Sequence, residues 1–359
     1  MAGKEAGIKG LPDSENLGGV ISVRFDPRSP CLLNPPAPQT SRISLGMPAD
    51  ITIYHVTGYA GLTPKQDLRG HTLIFTHVPK TAGTSLDYIL IALAGARKIP
   101  FYRAMGTIYG QYHGAGKKES WKDFERWPET ALAQRQCFIS GHLPHGAHRR
   151  VKRPYFYVTM LRDPVSRLVS QFRFGVQRGG WTESTPMAEV IERGGIANDL
   201  QTRQIAGIMD LTTPCNADSL KQAIEHLRSE YTVVGLSSGF DETVKVLITL
   251  LGWPEIAYGN RQVSEGKPSA QIVEQAEQAA KRYFANDLEL YAAAKEIAAG
   301  TTARLFDGTA SGMQRQPQVL VTVPGLRLGG KDAGIMPRDY FESNLRPSLQ
   351  QQGVKFSTV

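Results

Sequence analysis

Short apolar runs alternate with helix-like segments along the middle of this chain. Four runs are rich in β-branched and aromatic residues: HTLIFTHV (71–78), QCFISGH (136–142), YFYVTMLR (155–162) and YTVVGLS (231–237). Continuous apolar runs of this length are typical of strands buried on both faces of a parallel sheet. Apolar residues at helical spacing follow three of them, at residues 85–93, 165–176 and 240–252. The alternation predicts an α/β fold with a central, mainly parallel sheet flanked by helices.

The two ends of the chain differ from this middle part in composition. Residues 1–50 are rich in Gly, Pro and Ser, which predicts a flexible N-terminal segment. Segments of helical character continue to about residue 300, so we predict one folded domain over residues 51–300. Gly, Gln, Pro and Thr become frequent after that point, and residues 301–359 are predicted to form a C-terminal tail or a small appendage.

The charge and cysteine content narrow the class of protein. A net charge of +8, from 41 Lys and Arg against 33 Asp and Glu, favours anionic partners such as nucleotides or acidic polysaccharide. The basic residues are scattered, so we expect no nucleic-acid partner. The three cysteines fit neither a zinc site nor a disulfide framework, which favours a reducing compartment. We see no signal peptide or transmembrane segment and expect a soluble, cytoplasmic protein.

The segment HVPKTAGTSL joins the first apolar run to its helix, and its chemistry suits a phosphate. The residues that would form the binding loop are Lys80, Thr81, Ala82, Gly83, Thr84 and Ser85. Backbone N–H groups at a helix N-terminus favour an anion, and Gly83 would let the backbone approach it. The Walker pattern places its lysine after the glycine, beside a magnesium-binding hydroxyl. Here the lysine comes first, so we predict a metal-free anion site; an ordinary capped turn is the alternative.

A second candidate for anion binding is LRDPVSRLVSQF, residues 161–172. Arg162 lies at the carboxyl end of a predicted strand, where ligands bind in open parallel sheets. Ser170 follows eight residues later, about two helical turns, so both side chains can contact one small anion. Taken alone, the segment is better explained by an arginine at a strand end and a serine on a solvated helix face.

Together, the two segments resemble the nucleotide site of sulfotransferases that use 3′-phosphoadenosine 5′-phosphosulfate (PAPS). HVPKTAGTSL looks like their 5′-phosphosulfate loop, and LRDPVSRLVSQF looks like their 3′-phosphate segment. Both are closer to the carbohydrate branch, meaning heparan 2-O- and 6-O-sulfotransferase-like enzymes and their bacterial relatives, than to the aryl and steroid branch. The resemblance covers roughly residues 72–298. It implies a P-loop-NTPase-like sulfotransferase fold, PAPS as donor, adenosine 3′,5′-bisphosphate as product, and no required metal.

The resemblance also implies roles for individual residues at the donor site. Lys80 would stabilise the leaving 5′-phosphate, which the rest of the loop would hold. Arg162 and Ser170 would hold the 3′-phosphate. A basic loop that contains Arg261 and Lys267 would fold over the 3′-phosphate and the adenine.

The acceptor side is predicted at ISGHLPHGAH, residues 139–148. In the enzymes that this chain resembles, a Gly-His after the corresponding strand carries the catalytic base, so we predict His142 as the base and His145 as a reserve. Histidine titrates near neutral pH, which suits that role. His145, Asn198 and Arg203 are tentative contacts of the acceptor, whereas His77 is interpreted as structural.

The predicted function is transfer of a sulfuryl group from PAPS to a hydroxyl group of a saccharide or glycoconjugate, which the basic charge allows to be anionic. Two alternatives stay open from the sequence. One is a phosphotransferase with an atypical phosphate loop, and the other is a non-catalytic binder of nucleotides or acidic polysaccharide. The acceptor, the sulfated position and the oligomeric state are not indicated by the sequence.

Overall fold

The computed structural model describes residues 52–104, 124–127, 132–133, 136–208, 210–259, 266–323, 326 and 333–358. Within them the strands are β1 Thr52–Val56, β2 Gly58–Tyr59, β3 Thr63–Pro64, β4 Thr72–Thr76, β5 Phe101–Ala104, β6 Phe138–Gly141, β7 Tyr155–Leu161, β8 Tyr231–Leu236, β9 Glu255–Gly259, β10 Phe306–Asp307, β11 Met313–Gln314, β12 Gln318–Thr322, β13 Ala333–Pro337 and β14 Lys355–Thr358. The α-helices are α1 Gly83–Ala96, α2 Pro164–Gln177, α3 Met187–Glu192, α4 Leu200–Ala206, α5 Ala217–Ser229, α6 Phe240–Leu251, α7 Ala270–Tyr283, α8 Ala285–Ala299, α9 Thr301–Leu305, α10 Arg338–Tyr340 and α11 Arg346–Gln351.

Five parallel strands form the central sheet, in the order β5-β6-β4-β7-β8. All residues of the middle strand β4 are buried, because helices cover both faces of a parallel sheet. The predicted α/β class with a helix-flanked parallel sheet is confirmed, and the four apolar runs form β4, β6, β7 and β8. The edge strand β5 was not predicted, since its four residues include only partly buried side chains before Ala104.

Local signals in the sequence mark the start of α2 and the end of α6. Asp163 caps α2, because its carboxylate accepts a hydrogen bond of 2.8 Å from the backbone N–H of Ser166. Pro164 then occupies the first turn, where a missing N–H group is tolerated. At the end of α6, Gly252 takes a left-handed backbone conformation with a φ of 56°. None of the helices in the described residues is long and apolar enough to cross a membrane.

A second five-stranded sheet has the order β13-β12-β9-β1-β14. It is mixed: β1 pairs in parallel with β14 and antiparallel with β9, while β12 pairs in parallel with β9 and antiparallel with β13. The described residues after 300 therefore contribute three strands to a sheet that they share with β1 and β9. The division of the chain at residues 50 and 300 stays a prediction, and residues 1–50 lie outside the described part.

Helices α1 and α6 connect the two sheets through one hydrophobic cluster. Phe75 of β4 and Leu90 of α1 belong to this cluster, as do Leu247 of α6 and Leu320 of β12. Each fully buried side chain of this size contributes about 1.5–3 kcal/mol. On the other face, α5 and α8 cover the central sheet through a separate cluster. Helix α1, which follows the predicted anion-binding loop, thus packs between the two sheets.

Candidate active site

The predicted anion-binding loop lies between the carboxyl end of β4 and the first turn of α1. Lys80 and Ala82 both have left-handed backbone conformations, with φ values of 68° and 67°. Conformations of this kind cost non-glycine residues about 1–2 kcal/mol each and persist where the surrounding structure holds them. Turns that contain left-handed residues commonly form backbone concavities that bind anions. The loop contains two such residues, and anion binding by it stays a prediction.

Two residues of the loop serve the protein itself. The Thr81 hydroxyl donates a hydrogen bond of 2.8 Å to the carbonyl oxygen of Val78, so only its backbone N–H group can donate to a ligand. A Cβ atom at Gly83 would lie 2.2 Å from Cδ2 of His77. The space that Gly83 leaves is thus filled by an imidazole ring, whereas the sequence suggested a close approach of ligand. Thr84 is half-buried and Ser85 is buried, both in the first turn of α1.

Lys80 lies among other cations and beside an aromatic ring. Its Nζ atom is 4.2 Å from the centroid of the Phe174 ring. Burial, together with the charges of Arg162 and Arg178, lowers the pKa of Lys80 to about 8. The side chain is still charged at neutral pH. Because these positive charges repel one another, an anion bound between them would be stabilised.

The two segments predicted to bind anions contact each other directly. Nη1 of Arg162 donates a hydrogen bond of 3.2 Å to the carbonyl oxygen of Lys80. The backbone of Arg162 is held by Gln201, which accepts from its N–H group and donates to its carbonyl oxygen, both at 2.9 Å. Ser170 lies two turns along α2 and is half-buried. The structure thus brings Lys80 and Arg162 together at the carboxyl edge of the sheet.

His142 follows β6 and reaches the same edge. Its backbone N–H group donates to the carbonyl oxygen of Ala104 at 2.9 Å, which anchors the residue to the end of β5. Its ring meets the ring of His77 edge to face, with centroids 5.1 Å apart and an interplanar angle of 72°. Since His77 also packs on Gly83, a continuous set of contacts links His142 to the loop.

His145 lies in a different environment. Its ring stacks on His226, with centroids 3.8 Å apart, and it also contacts His148 and Tyr157. Burial, with the charges of His226, His148 and Arg149, lowers the pKa of His145 to about 3. The ring is therefore neutral and packed in an aromatic cluster against α5. This placement favours His142 over His145 as the base.

Of the tentative acceptor contacts, Asn198 precedes α4 and Arg203 lies within it. Arg203 is buried, and its guanidinium donates to the carbonyl oxygens of Asn198 at 3.1 Å and Thr213 at 2.8 Å. The guanidinium of Arg203 therefore binds the backbone on either side of α4, before it at Asn198 and after it at Thr213. Asn198 is exposed. A contact between either residue and an acceptor stays a prediction.

The predicted adenine-side loop is only partly described, and Arg261 lies outside the described residues. Lys267 is exposed. Its neighbour Gly266 accepts a hydrogen bond of 3.0 Å from Nη1 of Arg173. Arg173 lies about one turn after Ser170 on α2. The end of the loop that carries Lys267 is therefore tied to the helix that carries Ser170.

A protein-family model matches the region that contains both segments. Residues 68–198 match a family model described as "Sulfotransferase family". The matched stretch is similar to that family and makes up a little over a third of the chain. The matched region includes the Lys80 loop, His142, Arg162 and Ser170, and it ends at Asn198.

Curated relatives are similar to about a third of the chain. Heparan-sulfate 6-O-sulfotransferase 3-B of Danio rerio is 32% identical over 128 residues, which cover 33% of this chain and 29% of that protein. Heparan-sulfate 6-O-sulfotransferase 2 of Homo sapiens is 33% identical over 132 residues, which cover 33% of this chain and 21% of that protein. The chain thus spans less than a third of the length of either relative. A solved sulfotransferase from Alicyclobacillus acidocaldarius overlaps 64% of this chain and 96% of its own at 16% identity, with a TM-score of 0.35.

Two glutamines just beyond the matched region were not predicted to take part in the site. Gln204 is fully buried, and its Nε2 atom donates to the carbonyl oxygens of His77 and Leu143, both at 3.1 Å. Gln201, equally buried, holds Arg162. Helix α4 therefore joins the residues that follow β4, β6 and β7. The sequence does contain one indication of this role: Gln201 and Gln204 are three residues apart, a spacing that places both side chains on one face of a helix.

The position of α4 is set by a buried carboxylate from α8. Oδ1 of Asp287 accepts hydrogen bonds from the backbone N–H group and the hydroxyl of Thr202, at 2.8 and 2.9 Å. Such bonds satisfy donors that a helix N-terminus leaves without partners.

Within the described ranges, no group of three or more His, Cys, Asp or Glu side chains is arranged to hold a metal ion.

Proposed function

We propose that this protein is a PAPS-dependent sulfotransferase that transfers a sulfuryl group to a hydroxyl group of a saccharide or glycoconjugate. The contact between Arg162 and the carbonyl oxygen of Lys80 carries the proposal, because it joins the two predicted anion-binding segments. The family match of residues 68–198 supports the reaction class. The heparan-sulfate relatives support a saccharide acceptor. A cytoplasmic location, expected from the cysteine content, belongs to the same proposal.

The donor would be held by the two segments together. Backbone N–H groups of the loop, with the hydroxyls of Thr84 and Ser85, would bind the 5′-phosphate. Arg162 and Ser170 would bind the 3′-phosphate with a guanidinium fork and a hydroxyl. Lys80, charged at neutral pH, would donate to the bridging oxygen and stabilise the negative charge that develops on the leaving phosphate. In this proposal the cations and amides neutralise the donor and no metal is required.

His142 would act as the general base. It takes the proton of the acceptor hydroxyl while the acceptor oxygen bonds to sulfur and the bond from sulfur to the bridging oxygen breaks. A positioned base of this kind contributes about 10²–10⁴-fold to the rate. Near-wild-type turnover in His142→Ala, with unchanged binding of adenosine 3′,5′-bisphosphate, would show that another group takes the proton.

Thermal unfolding with adenosine 3′,5′-bisphosphate tests the donor site. At a ligand concentration 100-fold above Kd, the expected stabilisation is about 2.7 kcal/mol, without magnesium. Lys80→Ala and Arg162→Ala should reduce the shift. A phosphotransferase would instead need ATP with magnesium, and a non-catalytic binder would show the shift without turnover. The absence of any shift at millimolar ligand would overturn the proposal.

Radiolabelled PAPS with a panel of acceptors tests the transfer itself. Neutral oligosaccharides, sulfated and carboxylated oligosaccharides, phenols and tyrosine peptides should be included. Label should pass to a saccharide, and this transfer should disappear in Lys80→Ala. Transfer to phenols or peptides alone would retain the sulfotransferase activity but overturn the saccharide acceptor.

A further inference from the structure

A fully buried carboxylate lies near His77, the neighbour of the candidate base. Asp87, on α1, accepts a hydrogen bond of 2.8 Å from Nε of Arg103. The hydroxyl of Ser140 donates to Oδ1 of Asp87. Nδ1 of His77 lies 3.8 Å from Oδ2, the oxygen that Arg103 contacts. These neighbours belong to β5, to β6 and to the residue that follows β4. Asp87 thus contacts three adjacent strands close to the predicted catalytic edge.

His77 connects this carboxylate with His142. Its ring is almost completely buried, and Nδ1 has no hydrogen-bond partner in the described part of the chain. One neighbour is the ring of Phe75, stacked at a centroid distance of 5.4 Å and an angle of 12°. A second is the backbone of Gly83, and the third is the edge of the His142 ring. The imidazole is therefore held between the buried carboxylate and the candidate base.

Asp87 remains charged at neutral pH. Burial alone would raise the pKa of its carboxyl, but the contacts with His77, Arg103 and Ser140 hold that pKa below its ordinary value. Burying charged groups is expensive, and apolar residues of similar size often stabilise a core as well or better. A purely structural link between α1 and the sheet therefore does not require a charge here. The negative charge of Asp87 would, however, stabilise a neighbouring histidine ring that gains a proton.

We propose that Asp87, acting through His77, orients His142 and stabilises its protonated form during transfer. This inference rests on the proposed sulfotransferase function. Asp87 and His77 are positioning residues, since neither is placed against the acceptor. The charged groups that contact the Asp87–His77 pair are Arg103, which opposes the field of the carboxylate, and His142 when protonated.

The pH dependence of kcat tests this inference, because a base must be unprotonated to act. Asp87→Asn removes a negative charge, so its acid limb should move to lower pH by roughly one unit. Arg103→Gln removes a positive charge, so its acid limb should move to higher pH. Binding of adenosine 3′,5′-bisphosphate should be unchanged in both. Opposite shifts from the two variants would not follow from a loss of stability.

Glu255→Gln is the matched control. Glu255 is also fully buried and lies 2.9 Å from a histidine, His55, but in the second sheet. Its loss should lower Tm and leave the acid limb unchanged. A shift in this variant equal to that of Asp87→Asn would overturn the inference. If Asp87→Asn does not fold, Arg103→Gln decides, since the Arg103 side chain is 23% exposed and tolerates replacement better.

The outcomes separate this inference from the proposed function. Wild-type protein that transfers no sulfuryl group to any acceptor would overturn the proposed function. Wild-type turnover with an acid limb that neither Asp87→Asn nor Arg103→Gln moves would overturn only the role of Asp87 and His77.

Discussion

Among the described residues, two buried carboxylates each face a buried histidine, one beside the central sheet and one within the second sheet. In the central sheet Asp87 lies 3.8 Å from Nδ1 of His77, and in the second sheet Glu255 lies 2.9 Å from Nε2 of His55. Both carboxylates also contact an arginine. The chemistry of the two pairs is therefore nearly the same, and their surroundings decide what each pair can do.

The pair in the second sheet joins parts of the chain that are distant in sequence. Arg338, after β13, donates to Glu255 of β9 at 2.6 Å, and His55 of β1 contacts the ring of Phe341. These contacts attach the C-terminal segment to the sheet. The pair in the central sheet instead contacts a second titratable ring, His142, at the carboxyl edge. A buried carboxylate–histidine pair can influence chemistry only where a reacting group lies beside it.

The largest expected effect is on stability, in the second sheet. Glu255→Ala should lower the free energy of unfolding by about 3–5 kcal/mol, because His55 and Arg338 would keep buried polar groups without their partner. Chemical denaturation measures this loss. Glu342→Ala, which removes a partly exposed partner of the same cluster, is the control, with an expected loss of about 0.2–1 kcal/mol. Equal losses in the two variants would contradict a structural role specific to Glu255.

The next effect is on activity, in the central sheet. Lys80→Ala should lower kcat by about 10²–10³-fold, since a charge that stabilises the leaving group is lost. Lys245→Ala is a matched control, because Lys245 also lies over an aromatic ring, that of Tyr59, but outside the site. Steady-state rates with labelled PAPS measure both. A similar loss of rate in Lys245→Ala would mean that Lys80 has no special role.

A smaller effect is expected where the loop meets His77. Gly83→Ala introduces a Cβ atom 2.2 Å from Cδ2 of His77, so the ring or the loop must move. We expect a loss of about 1–3 kcal/mol in unfolding free energy and a lower kcat. Gly70→Ala, where a Cβ meets no atom within 4 Å, should change neither. Thermal unfolding and rate measurements on both variants distinguish crowding at His77 from a general effect of replacing glycine.

The smallest effect is the pH dependence of donor-site binding. The pKa of Lys80 is lowered to about 8, so its charge is lost as the pH rises through 8 and not near the ordinary value of 10.5. Affinity for adenosine 3′,5′-bisphosphate should therefore fall roughly tenfold per pH unit above 8. Calorimetric titrations at pH 7 and pH 9 measure this change. In Lys80→Gln the affinity should be weak at both values; a persistent pH dependence in that variant would assign it to another group.

Much of the central sheet could be predicted from the sequence, because its strands and helices depend on local signals. The run TLIFT of β4 has a β-branched or apolar side chain at every position, and Asp163 with Pro164 marks the start of α2. The second sheet could not be predicted in the same way. Its strands pair across long separations, as in Thr52 of β1 with Lys355 of β14. Short strands that gain their stability from distant partners carry little signal of their own.

The candidate site was likewise predictable from the sequence only in part. The order of strand, loop and helix in the sequence determined that Lys80, Arg162 and His142 would lie near the carboxyl ends of parallel strands, where ligands bind. Only the tertiary structure decided which groups surround them: the buried Asp87 with His77, and the glutamines of α4 that hold the strand ends. Those contacts depend on the lateral order of the strands and on the packing of helices over them. Both are set by long-range burial of side chains, which no short stretch of sequence specifies.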